Sequence, residues 1–160
     1  MDRTLRQKID MDLIKFVVPT PVASPGMTVR EVFEACAQAD VPGIPFRNAA
    51  GRIVGKASIR HILRETCIPS FMIDNARVLG DELNGLRVPE IRARRILDMT
   101  LDEFVLPRMA VITPLSPISK ALAVMEHHDT TYLFVIDKDN KYHGTVSIMK
   151  VASRILELYP

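Results

Sequence analysis

Leu133-Phe134-Val135-Ile136-Asp137, a turn, and Gly144-Thr145-Val146-Ser147-Ile148 read as an apolar strand, a reversal, and a second strand that ends on a hydroxyl residue. The same series stands earlier in the chain as Ile44-Pro45-Phe46-Arg47-Asn48, a turn, and Gly55-Lys56-Ala57-Ser58-Ile59. Gly55 and Gly144 are 89 residues apart, and so are Ser58 and Ser147. A repeat at constant offset fixes the architecture before any single motif is weighed, because both copies must fold alike. Upstream, Val22-Ala23-Ser24-Pro25 matches Val111-Ile112-Thr113-Pro114 at that offset. Phe16-Val17-Val18-Pro19 matches Phe104-Val105-Leu106-Pro107 one residue out of phase, so the two units differ by a slip in the leading segment.

Periodicity gives each unit the same plan. After Ser24-Pro25 the apolar residues Val29, Val32, Phe33 and Cys36 recur at helical spacing, as do Ile118, Ala121, Leu122 and Met125 in the second unit. The two short runs rich in β-formers then make a hairpin around Asn48-Ala49-Ala50-Gly51 or Lys138-Asp139-Asn140. Helical spacing returns with Ile59, Ile62 and Leu63, and with Ile148, Val151, Ala152, Ile155 and Leu156. The expected fold is α+β, with two β-α-β-β-α repeats packed about a pseudo-twofold axis, since neither unit alone covers both faces of its sheet.

The expected boundaries are an N-terminal helix over residues 1–16, a first repeat over 17–63, a helical linker over 64–103 and a second repeat over 104–160. The first helix carries Leu5, Ile9, Leu13 and Phe16 on one side, a stripe that needs a covering surface. In the linker, Pro69 and Pro89 are helix-start residues and Gly80 and Gly85 are breakers. Arg92, Arg94 and Arg95 read as the solvated face of a linker helix.

Composition narrows the function classes. The chain has 160 residues with 21 Lys and Arg against 19 Asp and Glu, a net charge of +2 that lacks the basic excess of a dedicated nucleic-acid binder. Met1–Lys8 has no apolar core of a signal peptide, and no stretch approaches the roughly 18 apolar residues of a membrane span. The expectation is a cytoplasmic protein with neither nucleic acid nor membrane as partner. Cys36 and Cys67 lack metal-ligand spacing and read as packing thiols.

The duplicated unit resembles the CBS domain (cystathionine beta-synthase domain), in the form of a stand-alone CBS pair. The resemblance covers about Leu13 to Leu63 and Phe104 to Leu156. It rests on Val18-Pro19-Thr20-Pro21-Val22, on the Ile-Pro-Phe and Leu-Phe-Val-Ile-Asp strands, and on Gly-x-x-Ser-Ile leading into the last helix. It implies a regulatory, non-catalytic module whose clefts bind adenine nucleotides such as AMP, ADP or ATP, which forms a homodimer and signals to an effector protein in trans. In the family, a Gly-h-h-Ser/Thr-x-x-Asp motif gives a hydroxyl to phosphate and a carboxylate to the ribose diol. Here Ser58 and Ser147 match the hydroxyl, but His61 and Lys150 replace both carboxylates. Neither can accept two ribose hydroxyls, so a more anionic ligand suits the clefts, or the module serves as a ligand-free dimeric adaptor.

By the same resemblance, Gly55, Ser58, Arg60 and His61 would line a first cleft with Met109, Ala110, Thr131 and Tyr132. Gly144, Ser147 and Lys150 would line a second with Thr20, Pro21, Pro42 and Gly43. The first is the richer in donors, because Met149 stands in the second where Arg60 stands in the first. Catalytic and metal readings are weaker. Ser147-Ile148-Met149-Lys150 fits a Ser-x-x-Lys nucleophile pattern without its companion elements, and His127-His128 are adjacent helical residues that do not face one ion. Asp137 and Asp139 read as turn residues. No metal is expected, and no cofactor beyond the AMP, ADP, ATP or related adenine nucleotide that the resemblance implies.

Overall fold

A computed structural model describes residues 12–81 and 94–160. In the first repeat, α1 spans Val29–Ala39, β1 Gly43–Arg47, β2 Ile53–Ser58 and α2 Ile59–Cys67, followed by the short helix α3 at Ser70–Asp74. In the second, β3 spans Val111–Ile112, α4 Ile118–His127, β4 Tyr132–Ile136, β5 Tyr142–Ser147 and α5 Ile148–Leu158. The α+β class and the duplicated hairpin are as the sequence implies.

The two equivalent helices, α1 and α4, start differently. Thr28 and Glu31 form a reciprocal capping box at α1, with Glu31 N–H donating to Thr28 Oγ1 (3.2 Å) and Thr28 N–H to Glu31 Oε2 (2.8 Å). Pro117 precedes α4 and supplies no side-chain cap. β1 pairs antiparallel with β2, and β4 with β5, each hairpin carrying a register break at Phe46/Arg47 or Val135/Ile136. These breaks are themselves 89 residues apart.

The leading strands pair unequally, and a proline explains why. β3 runs parallel to β4, where Phe134 N–H donates to Ala110 O at 3.0 Å. Pro45 occupies the equivalent of Phe134 and has no N–H, so the first repeat keeps a single parallel bridge, Ala23 to Phe46. The carbonyl of Pro21, left without that donor, accepts instead from Thr20 Oγ1 at 3.1 Å.

The segments just before these strands cross to the other repeat. Val18 exchanges hydrogen bonds with Thr145 of β5 (2.9 and 2.8 Å), and Leu106 with Lys56 of β2 (2.8 and 3.0 Å). The one-residue slip lies here, since Val18 and Leu106 are 88 apart while their partners are 89 apart. The cores follow the exchange. Leu13 and Phe16 are buried in the core of the second repeat, while Ile96, Leu101 and Phe104 are buried in that of the first. A third cluster of Ile53, Tyr132, Phe134 and Ile136 joins the two.

Three expectations change. Asp12 is extended and Leu13–Phe16 form one 3-10 turn, so the helix expected over 1–16 does not run through its last residues. Leu13 and Phe16 are covered by this chain's own second repeat and do not call for an outside surface; Leu5 and Ile9 lie outside the described residues. The last helix of the first repeat extends to Cys67, past the expected boundary at Leu63. Within the linker, Ser70–Asp74 starts directly after Pro69, and Arg94 and Arg95 are exposed. Gly85, Pro89 and Arg92 lie outside the described residues.

Candidate functional site

Two cavities flank the join between the repeats, one of about 800 Å³ and one of about 320 Å³. They are pseudo-twofold mates. Ser58, Arg60, Met125, Glu126, Asp129, Thr130 and Thr131 line the larger; Ser147, Met149, Cys36, Ala37, Asp40, Val41 and Pro42 line the smaller at the same offset. The charge and hydroxyl differences make the smaller one more apolar: Arg60 becomes Met149, Glu126 becomes Ala37 and Thr130 becomes Val41. Pro42 lines both.

The start of α2 builds one wall of the larger cavity. Ser58 is the N-cap, its hydroxyl accepting from His61 N–H at 3.4 Å, and the turn that follows carries Arg60, His61 and Arg64 along the cavity. His61 Nδ1 is 3.9 Å from Glu65 Oε1, one turn further on. Lys56 of β2, Leu106 of the crossing segment, Ile68, Ile73 and His128 complete much of the remaining lining. Among the described residues no carboxylate lies within 4 Å of Lys56, Arg60 or Arg64, so the wall carries three unpaired cations.

Tyr132 also lines this cavity. It is 6% exposed, and burial pushes its phenol up to about 12. Its hydroxyl lies beside Ser58, but no protein atom meets it with hydrogen-bond geometry. A buried donor without a partner costs about 1–3 kcal/mol, a penalty that an acceptor would remove. Lys56 Nζ sits 5.4 Å from the Tyr132 ring centroid.

Of the residues expected in the first cleft, Ser58, Arg60, His61, Thr131 and Tyr132 line this cavity. Gly55, Met109 and Ala110 do not. A Cβ at Gly55 would overlap the Leu106 carbonyl, so that glycine makes room for the crossing strand. Met109 packs on the third cluster, and Ala110 is buried in the second core. Of the second set, Ser147 and Pro42 line the smaller cavity, and Thr20, Pro21, Gly43, Gly144 and Lys150 do not. Ser147 caps α5, accepting from Lys150 N–H at 3.1 Å. Gly144, at φ 142°, faces Val18 O, which a Cβ would meet at 2.7 Å. Thr20 is hydrogen-bonded to the Tyr142 hydroxyl, which also bonds Thr145 Oγ1 at 2.8 Å, so the polar group expected to face a ligand is consumed within the fold. Gly43 lies under the Tyr132 hydroxyl.

Sequence reading missed Lys56, Arg64, Glu126, His128 and Asp129. Lys56 carried a usable signal: it is a lone cation in a strand otherwise made of Ile, Val, Gly, Ala and Ser. Cys36 is buried, its thiol raised to about 11 by desolvation, and Cys67 is half-buried. His127 and His128 stack edge to face, with ring centroids 5.2 Å apart at the end of α4. Among the described residues no group of three side chains is placed to hold a metal, and no helix is long and apolar enough to cross a membrane.

The CBS domain family model matches residues 101–157. No curated protein sequence matches the chain. Among solved structures, a CBS domain-containing protein from Bacillus anthracis is similar at 14% identity and TM-score 0.61, over 96% of this chain and 99% of that one. A CBS domain pair/ACT domain protein from Thermotoga maritima aligns at 20% identity and TM-score 0.56, over 94% and 100%. CBSX2, solved in complex with AMP, aligns at 16% identity and TM-score 0.60, over 92% and 97%. Residues 101–157 are therefore a CBS domain, and the chain as a whole has the fold of a tandem CBS pair.

Proposed function

We propose that this chain is a regulatory, non-catalytic module that senses an adenine nucleotide or another anionic metabolite in the larger cavity and signals to a partner protein in trans. The observation that carries the reading is the cation-bearing cavity: Lys56, Arg60 and Arg64 form no ion pair within 4 Å among the described residues, although Glu126 and Asp129 line the same cavity, and a buried phenol beside them lacks a well-aligned partner. Unpaired cations in a concave site favour an anionic ligand. The AMP complex of CBSX2 supports a nucleotide as one candidate. His61 stands where a ribose-binding carboxylate is expected and lines the same cavity, which supports a ligand recognised by charge more than by its diol.

A homodimer fits this reading. α5 leaves Ile148, Met149, Ile155 and Leu156 exposed, a larger apolar display than a solvated helix needs. Sedimentation of a single 18 kDa species at micromolar concentration would contradict it. The second reading is a ligand-free adaptor, favoured by the apolar character of the smaller cavity.

Thermal shift and calorimetry with AMP, ADP, ATP and adenosine separate the two, because a ligand that binds only the folded state raises its melting point. Arg60→Ala weakens nucleotide binding by about 1.5–3 kcal/mol, the range of a charged hydrogen bond, whereas Lys150→Ala, outside both cavities, has little effect. Absence of any stabilisation by all four compounds leaves the adaptor reading.

A further inference from the structure

Lys56 and Tyr132 differ from the cations at the start of α2 in being held by the sheet. Lys56 is half-buried on β2, and burial draws its ammonium below the ordinary lysine range. Its position over the Tyr132 ring is a cation–π arrangement, which fixes the head group without neutralising it. The neighbouring Tyr132 hydroxyl is a donor with no acceptor. The ammonium is thus left a donor awaiting oxygen.

The pseudo-twofold isolates this pair. The mate of Lys56 is Thr145, fully buried and bonded to Tyr142; the mate of Tyr132 is Gly43. The smaller cavity has neither a lysine nor a phenol at these positions.

We propose that Lys56, steadied by the Tyr132 ring, is the inner anchor for a phosphate-type oxyanion, so that the bound metabolite is read through its phosphate and not through a ribose diol. This rests on the reading of the larger cavity as a ligand site. A vicinal diol donates two protons and needs an acceptor such as a carboxylate, and the motif position offers His61. A phosphate offers only acceptors, which is what an unpaired ammonium requires. The ligand class is a phosphorylated small molecule bound phosphate-inward, its remainder lying against Ile68 and Ile73 at the cavity wall. Tyr132 is a positioning residue, acting through Lys56.

Calorimetry on the full chain with inorganic pyrophosphate, ribose 5-phosphate, AMP and adenosine tests this. AMP and ribose 5-phosphate bind within a few-fold of each other, and adenosine binds at least about tenfold more weakly, the loss of one charge-assisted contact. Lys56→Met, which keeps the aliphatic stem, weakens all three phosphorylated probes by at least about tenfold and leaves adenosine unchanged. Tyr132→Phe keeps the ring and most of the binding, while Tyr132→Leu loses phosphate affinity as Lys56→Met does; a merely structural role would weaken adenosine too. Should Lys56→Met melt like the wild type and bind phosphates normally while Arg60→Ala does not, the inner anchor is overturned and the cavity reading stands. Should no probe bind the wild type, the cavity reading falls and the anchor with it.

Discussion

Asn140 clasps the backbone of Ile53 from the other repeat: its Oδ1 accepts Ile53 N–H at 2.7 Å and its Nδ2 donates to Ile53 O at 3.2 Å. Asn140 holds this pose at φ 64°, a left-handed conformation that asparagine tolerates. Asn140→Gly keeps the conformation and removes both bonds, so it is expected to cost about 1–3 kcal/mol in urea unfolding. Asn140→Asp keeps the acceptor and loses the donor, and should fall between. A glycine variant as stable as the wild type would mean that the clasp contributes nothing.

The two cap serines separate a structural from a ligand role. Ser58→Ala and Ser147→Ala each remove an N-cap, at an expected cost of about 1 kcal/mol by chemical denaturation. The stability losses should be equal. Ligand affinity should fall only with Ser58→Ala, because only Ser58 lines the cationic cavity.

Gly43 is small because Tyr132 needs the space. A Cβ there would overlap the phenol hydroxyl and lie 2.8 Å from Cζ and 2.9 Å from Ala57 O. Gly43→Ala is therefore expected to destabilise by about 1–3 kcal/mol, the usual cost of overpacking. Removing only the hydroxyl in Gly43→Ala/Tyr132→Phe should recover part of the loss and no more, since Cζ and the Ala57 carbonyl remain. Full recovery in a thermal melt would show that the hydroxyl alone sets the constraint.

In the β4–β5 turn, Asp137 accepts from His143 Nε2 at 2.9 Å and from the backbone N–H groups of Lys141 and Asp139. The His143 contact first, and the Lys141 N–H next, hold its carboxyl below the usual range. A depressed native value gives stability that is present above the unfolded value of about 3.9 and is lost as pH falls through the native one. Asp137→Asn should thus lower stability at pH 6 by more than at pH 2.5, so that the two unfolding curves converge in acid. A constant gap across that window would count against the carboxylate's role.

Duplication made the hairpins and the paired helices legible, because the same alternation appeared twice with the same punctuation. Even the slip between Val18 and Leu106 could be read. The identity of the strand facing Gly55 and Gly144 could not: a glycine announces close approach without naming what approaches, and the resemblance assigned both to ligand contact when each accommodates a crossing backbone. The stripe of Leu13 and Phe16 likewise signalled burial without signalling where. The start of α2 was visible as a wall of the larger cavity, whereas Glu126, His128 and Asp129 were not, because they reach it through the end of a helix whose placement is set by tertiary packing.

The crossing of Val18 to Thr145 and of Leu106 to Lys56 makes each half the guarantor of the other. A repeat excised at the boundary of its own sequence would leave behind the segment that closes its sheet and carry away the one its neighbour needs. The natural divisible unit is accordingly an interleaved whole, and it should melt in one step. Under the function proposed above, these two bridges are the backbone route by which a displacement in one half would reach the sheet of the other.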